Sequence, residues 1–534
     1  MLRIYRVVNA ILALIFIRTG EGCMFSRAYS GTVVGIDGEI ITVEADVSDG
    51  LPLFNMVGYL SSEVKEAKER VRIAMKNMGY PMAPKRITIN LSPADLRKEG
   101  TAFDLPIAIA VLSALGVIPS EYLQETLIIG ELSLNGEVNK VNGVLPIVYA
   151  AKQRGMKRCI VPEANAKEGA VVSQVEIIGV RSILEVVEYL TNQRYIESAY
   201  VDIQMLLENT PRKKGIDFGD VYGQSTAKRA IEVAVSGLHN LLLIGAPGTG
   251  KTMLASRIPT IMPDLSFEES IEISKIYSIS GLLDEENALV AVRPFRSPHH
   301  TITEAALVGG GRNVHPGEIS LASGGVLFLD ELPEYKKGTI ELLRQPLEER
   351  RVHIARLSGT YVYPTNFMLV AAMNPCNCGY YPDRRRCHCN SEQIKRYLSK
   401  ISKPLLDRID IVVEANPVAY DSLHNTEASE TSEAMRERVC RARQMQNKRY
   451  EKEDIFFNSE LTPTMIKKYC VLGIEEQRML ESVFDKLQLS ARAYHRILKV
   501  ARTIADLYGE PEIGCEHLSE AICYRSLDKK YWGE

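Results

Sequence analysis

The sequence predicts an α/β fold in three parts: an α+β domain over 24–190, a parallel-sheet core over 216–418 and an all-α domain over 419–534. Three observations predict it. Short β-rich runs alternate with helical stretches before residue 190. Nearly all-apolar runs without polar alternation recur in the middle of the chain, and after Pro417 the pattern is polar and helix-periodic. At 534 residues the chain exceeds one ordinary core. Its 46% hydrophobic and 25% charged residues are those of a soluble globular protein, and a net charge of −3 gives no global pull toward polyanions. Any nucleic-acid contact therefore needs a local basic patch.

The elements follow in order. "MLRIYRVVNAILALIFIRTGEG" carries two early arginines and an apolar run from Val7 to Ile17, imitating a secretory signal too short to span a bilayer. The other reading is an upstream start, with the natural chain beginning at Met24, so 1–23 are set apart as an extension. From Tyr29 to Leu190, "TVVGIDGEIITVEADV", "RITINLS", "TLIIGEL", "RCIVP" and "VEIIGV" read as strands. "SSEVKEAKERVRIAMKNMG" and "DLPIAIAVLSALG" read as helices between them. The polar stretch 191–215, ending "ENTPRKKG", reads as a linker. Beyond it "NLLLIG", "GVLFLD" and "FMLVAAMN" have the pattern of strands buried on both faces, as in a parallel sheet sandwiched by helices. "SEAMRERVCRARQMQNKRY" and "LSARAYHRILKVARTIADLYG" place apolar residues at helix period. Six cysteines lie scattered without a disulfide framework, which suits a reducing compartment and a cytoplasmic protein.

"GAPGTGKT" (Gly245, Ala246, Pro247, Gly248, Thr249, Gly250, Lys251, Thr252) follows the apolar run "NLLLI" and opens the helical stretch "MLASRI". That is the strand–loop–helix context of an ATP phosphate loop, in which backbone N–H groups and a helix N-terminus converge on phosphate oxygens. Lys251 would reach the β- and γ-phosphates, and Thr252 would hold Mg2+. "GGVLFLDE" supplies the second half: Asp330 for the Mg2+ shell and Glu331 to polarise the attacking water. Asn374 ends the next apolar strand, where its amide would orient that water. "LLDRID" offers Arg408, the type of residue that neutralises transition-state charge in a neighbouring subunit's site.

"CNCGYYPDRRRCHC" (Cys376, Cys378, Cys387, Cys389) begins one proline after Asn374 and holds four of the ten cysteines. Two C-x-C pairs supply four thiolates to one Zn2+, although zinc knuckles commonly leave two residues within each pair. Redox-sensitive thiols beside Arg384, Arg385 and Arg386, or no special chemistry, are the alternatives. "RRVHIARLSGTYVYP" reads as a hairpin with a Ser-Gly centre. "RPFRSPHH" adds Arg293, Arg296, His299 and His300, for which packing, a place near the nucleotide and substrate contact stay open.

On "GIDGEIITVEADVSDGLP", "RITINLSPADLRKEGTAFDLPIAIAVL", "RPFRSPHHTIT", "PGEISLASGGVLFLDELPE", "AAMNPCNCG" and "LSARAYHRILKVARTIADL", the chain from Met24 to Asp528 resembles magnesium-chelatase-like AAA+ ATPases of the ComM/YifB type. The resemblance implies a homo-oligomeric ring, a hexamer, with ATP sites between subunits. Lys251, Thr252, Asp330, Glu331 and Asn374 would work in cis and Arg408 on a neighbour. Arg492 would be the second-sensor arginine, with Arg496 one helical turn on as its substitute. In related rings the hairpin points into the pore, where Arg350, Arg351, His353 and Arg356 would form a collar for DNA phosphates. The first domain is similar to the Lon protease domain, with Ala102 where the serine should be and Leu145 at the lysine, so peptidase chemistry is not expected. The resemblance implies a DNA helicase promoting branch migration in natural transformation; the alternative is a protein-remodelling or magnesium-chelatase-type ATPase. No membrane partner is expected.

Overall fold

The structure is a computed structural model that describes residues 24–82, 84–209, 215–284, 286–311, 314–356, 359–417 and 430–532. The extension 1–23, part of the linker, Ser358 at the hairpin turn and the 418/419 boundary lie outside them. Two compact units emerge. The first runs to Asn209 and takes in Ser270–Ala291 and Ala355–Val362; the second holds the remainder.

The first unit is built on a seven-stranded mixed sheet. Its order is Leu53–Val57, Arg86–Ser92, Asp37–Ser48, Phe25–Val34, Thr126–Ile128, Arg158–Pro162, Glu176–Val180. Alternation along the strands feeds two cores. Ile128, Ile160 and Ile178 face the helices Ser62–Asn77, Asp104–Ala114 and Ile183–Leu190. Leu127, Ile129, Cys159, Val161 and Ile177 face Val144–Gln153. Within this unit Leu145 is buried, and its N–H donates to Glu168 Oε1 at 3.0 Å. Asn165 and Ser278 complete the partners of that buried carboxylate at 2.8 and 2.5 Å.

The helix Asp104–Ala114 is apolar all round, and all eleven residues are buried. Its first residue is the exception in chemistry: the Asp104 carboxylate, fully buried, accepts from Arg70 Nε at 2.6 Å and from a terminal guanidinium nitrogen at 2.9 Å. Removing Arg70 would strand a buried charge, whereas removing Asp104 leaves a guanidinium that can reach water. Arg70→Met is therefore expected to destabilise this unit by about 3 kcal/mol, more than Asp104→Asn does. Urea unfolding of both variants checks the ranking.

Within the stretch read as a linker, Ile203–Asn209 is helical, and the Ala199 N–H donates to Ile177 O at 2.8 Å. Ile203, Leu206 and Leu207 stand at helix spacing and pack on the first unit's core. The polar residues around them masked that short period.

In the second unit five parallel strands run in the order Phe295–Arg296, Val326–Leu329, Met368–Met373, Leu241–Ile244, Ile411–Glu414. Val326–Leu329, Met368–Met373 and Leu241–Ile244 are buried at every position, which is why their sequences show no alternation. The two outer strands, inside "RPFRS" and "DIVVEA", were not legible as strands. Helices from the C-terminal region share the sheet's core, with Met435, Val439, Ile497 and Ile504 in one cluster with Ala230, Leu241 and Val370. Among the described residues no helix is long and apolar enough to cross a membrane.

Candidate functional site

Register fixes where the chemistry gathers. Ile244 pairs with Met373 on one side and with Glu414 on the other, and Leu329 pairs with Ala371. The strands are parallel, so the residues that follow them (Gly245, Asn374, Asp330) emerge along one edge. Leu241–Ile244 is also where successive strands pass to opposite sides, the switch point at which open α/β sheets bind ligands.

The loop after Ile244 turns through two left-handed glycines, Gly248 at φ 78° and Gly250 at φ 83°, before the helix Lys251–Ile261 begins. Lys251 is nearly buried at 9% exposure. Its ammonium donates to Gly245 O at 2.8 Å, Ala246 O at 3.0 Å and Asn374 Oδ1 at 3.1 Å. Burial pulls the Lys251 pKa below its ordinary value, against the opposing attraction of Asp330 and Glu331. The Thr252 hydroxyl donates to Asp330 Oδ2 at 2.6 Å. Hydroxyl and carboxylate oxygens side by side are hard donors, the kind Mg2+ takes with phosphate and water. Four of the sequence-predicted residues thus form two hydrogen-bonded pairs, Lys251–Asn374 and Thr252–Asp330, joined into one bonded set through the Lys251–Thr252 peptide.

Glu331 adjoins it. Its backbone is left-handed at φ 51°, a conformation that costs a non-glycine residue about 1 kcal/mol. The N–H of Glu331 donates to Asp330 Oδ1 at 2.9 Å, and its side chain is exposed. His300 Nδ1 lies 3.9 Å from Glu331 Oε2. The His300 ring lies tilted by 35° against that of His299, with centroids 4.0 Å apart, and meets the Tyr335 ring edge-on. Of the open readings for "RPFRSPHH", the structure places its last histidine beside the candidate water-activating carboxylate. Arg293 and Arg296 are engaged elsewhere, with Glu269 at 3.1 Å and Glu318 at 2.6 Å.

Arg408 and Arg492 are not part of that set. They line a separate cavity of about 590 Å3 together with Glu348, His495, Arg496 and Lys499, and no phosphate-loop residue reaches its wall. Arg408 is ion-paired with Glu348 and donates to Pro404 O at 2.6 Å and Arg344 O at 3.1 Å. Arg492 is exposed, while Arg496 turns inward to Asp410 at 3.5 Å.

The predicted hairpin forms from Arg351–Arg356 and Gly359–Pro364. Arg351, His353 and Arg356 are exposed. Arg350 is drawn away from them: it bonds to Asn366 and Ser459 and lies 3.5 Å from Glu460.

All four loop cysteines converge. Their sulfurs lie within 4.8 Å of one another, with Cys376–Cys378 at 3.4 Å, Cys378–Cys387 at 3.6 Å and Cys376–Cys387 at 3.7 Å. A tetrahedral Zn2+ with bonds of about 2.3 Å needs sulfur–sulfur edges of about 3.8 Å. The thiols fit that group, and the one-residue gap within each pair does not prevent it.

Comparison with known proteins covers most of the chain. Residues 217–423 match the family model described as magnesium chelatase, subunit ChlI. Residues 43–165 match subunit ChlI of Mg-chelatase, and 429–525 match the subunit ChlI C-terminal model. The chain is 42% identical to competence protein ComM of Haemophilus influenzae over 93% of this chain and 97% of that one. It is 41% identical to YifB of Salmonella typhimurium over 94% and 97%. A partial match, 33% identity, covers 24% of this chain and 23% of Lon protease 2 of Bacillus subtilis.

Proposed function

The chain belongs to the magnesium-chelatase-like AAA+ family that includes ComM and YifB, and from that premise we propose that it is an ATP-hydrolysing ring motor acting on DNA, a helicase or branch-migration factor of natural transformation or recombination. The observation that carries the ATPase half is the bonded set of Lys251, Thr252, Asp330 and Asn374 at one edge of a parallel sheet. Lys251 neutralises β- and γ-phosphate charge, and Thr252 and Asp330 hold Mg2+, which when bound neutralises charge developing on the phosphates. Glu331 polarises the attacking water, and Asn374 orients it. Arg408, lining a cavity apart from its own chain's phosphate loop, serves a neighbour's site in a hexameric ring, and Arg492, on the same cavity, is the second-sensor arginine of the lid. In this reading 24–190 is a platform, 191–215 its connection, 216–418 the motor core and 419–534 the lid, and the protein works in the cytoplasm. The four-cysteine loop holds one structural Zn2+.

The DNA half rests on the ComM-like relatives and on the hairpin. Arg351, His353 and Arg356 are exposed along one strand, Arg351 and His353 on one face and Arg356 on the other; Arg350, tied to Glu460, contributes less than the sequence reading expects. The deciding experiment is the ATPase rate with and without single-stranded and forked DNA. DNA stimulation supports the reading. Stimulation only by a partner protein favours the second reading, a chelatase-type or protein-remodelling ATPase, which the magnesium chelatase family models support.

The hairpin gives a further expected result. Each phosphate contact on a single strand adds about 0.7 to the slope of log affinity against log salt, so Arg351→Ala/Arg356→Ala should flatten that slope by about 1.4. Affinity should fall similarly across sequences, because phosphate contacts read no bases. Basal ATPase should persist. An unchanged salt slope would place the hairpin off the DNA path.

A further inference from the structure

We propose that the zinc knuckle is a buttress of the phosphate loop, so that metal occupancy sets nucleotide affinity. The inference rests on the Zn2+ reading of the four thiols and goes beyond it. Its observation is a backbone contact. Gly379, in the middle of the knuckle's first turn, is buried at φ 85°, and its N–H donates to Cys376 O at 3.0 Å. A Cβ built on Gly379 would stand 2.4 Å from Cδ and 2.8 Å from Cγ of Pro247, the third residue of the phosphate loop. Contact that close leaves room for hydrogen only. The knuckle's backbone is therefore the surface on which the Pro247 ring rests.

What keeps that surface in place is the thiol cluster. Between Cys376 and Cys389 only Cys376, Gly379 and Cys387 are buried, while Asp383, Arg384, Arg385 and Arg386 are exposed. A loop with so little apolar core has few other means of staying closed. Binding one cation at four sulfurs joins the two ends of the loop, and the free energy of binding becomes folding free energy of the loop. The knuckle also starts two residues after Asn374, whose amide oxygen accepts from Lys251, so both strands of the contact lead into the nucleotide site. With the metal bound, Pro247 is held and the N–H groups after it stay convergent. Without it, the phosphate loop keeps its binding geometry only part of the time, and apparent affinity falls by that fraction.

The test measures metal and nucleotide binding on the same preparations of the full chain. Zinc is counted by elemental analysis, and the dissociation constant of a fluorescent Mg2+–ADP analogue is read by anisotropy. Wild-type protein purified without chelators should hold about one zinc per chain. Removing zinc with a chelator, or making Cys387→Ser/Cys389→Ser, should weaken the analogue by about tenfold or more, corresponding to a competent fraction of about a tenth. Adding zinc back to the stripped wild type should restore it. Cys389→His, which keeps a four-ligand site, should retain both zinc and affinity. Gly379→Ala should keep zinc yet weaken the analogue, because its methyl group displaces Pro247; this variant decides the matter if the serine variants do not fold. Metal-free wild type overturns the zinc reading and the buttress together. Zinc present, with affinity unchanged on its removal and in Gly379→Ala, overturns the buttress alone.

Discussion

Glu331→Gln is expected to bind ATP with near wild-type affinity and hydrolyse it at least ~100-fold more slowly, the loss typical of removing a positioned general base. The carboxylate is exposed beside the bonded set rather than part of it, with Asp330, not Glu331, contacting Thr252. Glutamine preserves shape and the left-handed backbone, so neither the phosphate loop nor the Mg2+ donors should move. Lys251→Ala should behave in the opposite order, losing nucleotide itself, because its ammonium meets phosphate charge in the bound state. Fluorescent-nucleotide titration and phosphate release on the same samples separate the two. A Glu331→Gln variant that turns over ATP at the wild-type rate would remove Glu331 from the mechanism. His300, 3.9 Å away, then becomes the residue to examine.

The parts of this site that sequence revealed are those whose chemistry is local along the chain. A phosphate loop needs a strand, glycines and a helix start within a dozen residues, and "NLLLIGAPGTGKT" contains them all. Asp330 and Asn374 were legible because each ends an apolar run, and parallel pairing carries such ends to one edge. His300 had no such signal: its strand, Phe295–Arg296, is two residues long, and only sheet order reveals that the loop after it passes Glu331. The pairing of Arg350 was hidden for a related reason. Its neighbours on the hairpin are exposed, but its partners Asn366, Ser459 and Glu460 lie far along the chain, and a run of arginines does not disclose which one is already paired. The cysteine loop shows spacing rules at their limit. The C-x-C gap departs from the common knuckle, yet the fold brings the four sulfurs within 4.8 Å of one another.

Mixing Arg408→Ala subunits with Glu331→Gln subunits is expected to restore hydrolysis that neither pure ring shows. The two lesions lie on different half-sites: Glu331 sits with the phosphate loop's own set, while Arg408 lines a cavity that contains none of it. In a head-to-tail ring one half-site comes from each neighbour, so random equal mixing completes about a quarter of the interfaces. Those interfaces pair the intact Glu331 of one subunit with the intact Arg408 of the next. Arg492→Ala should fall in the same class as Arg408→Ala, complementing Glu331→Gln but not Arg408→Ala, because both arginines face one cavity. An arginine acting on its own chain's nucleotide would give the reverse pattern, with no complete site in any mixture with Glu331→Gln except where the intact residues share a subunit, which neither variant provides. Phosphate release from rings verified as mixed by differential tagging is the measurement. Recovery with Arg408→Ala but none with Arg492→Ala would keep Arg408 as the residue reaching across and return Arg492 to its own subunit's site.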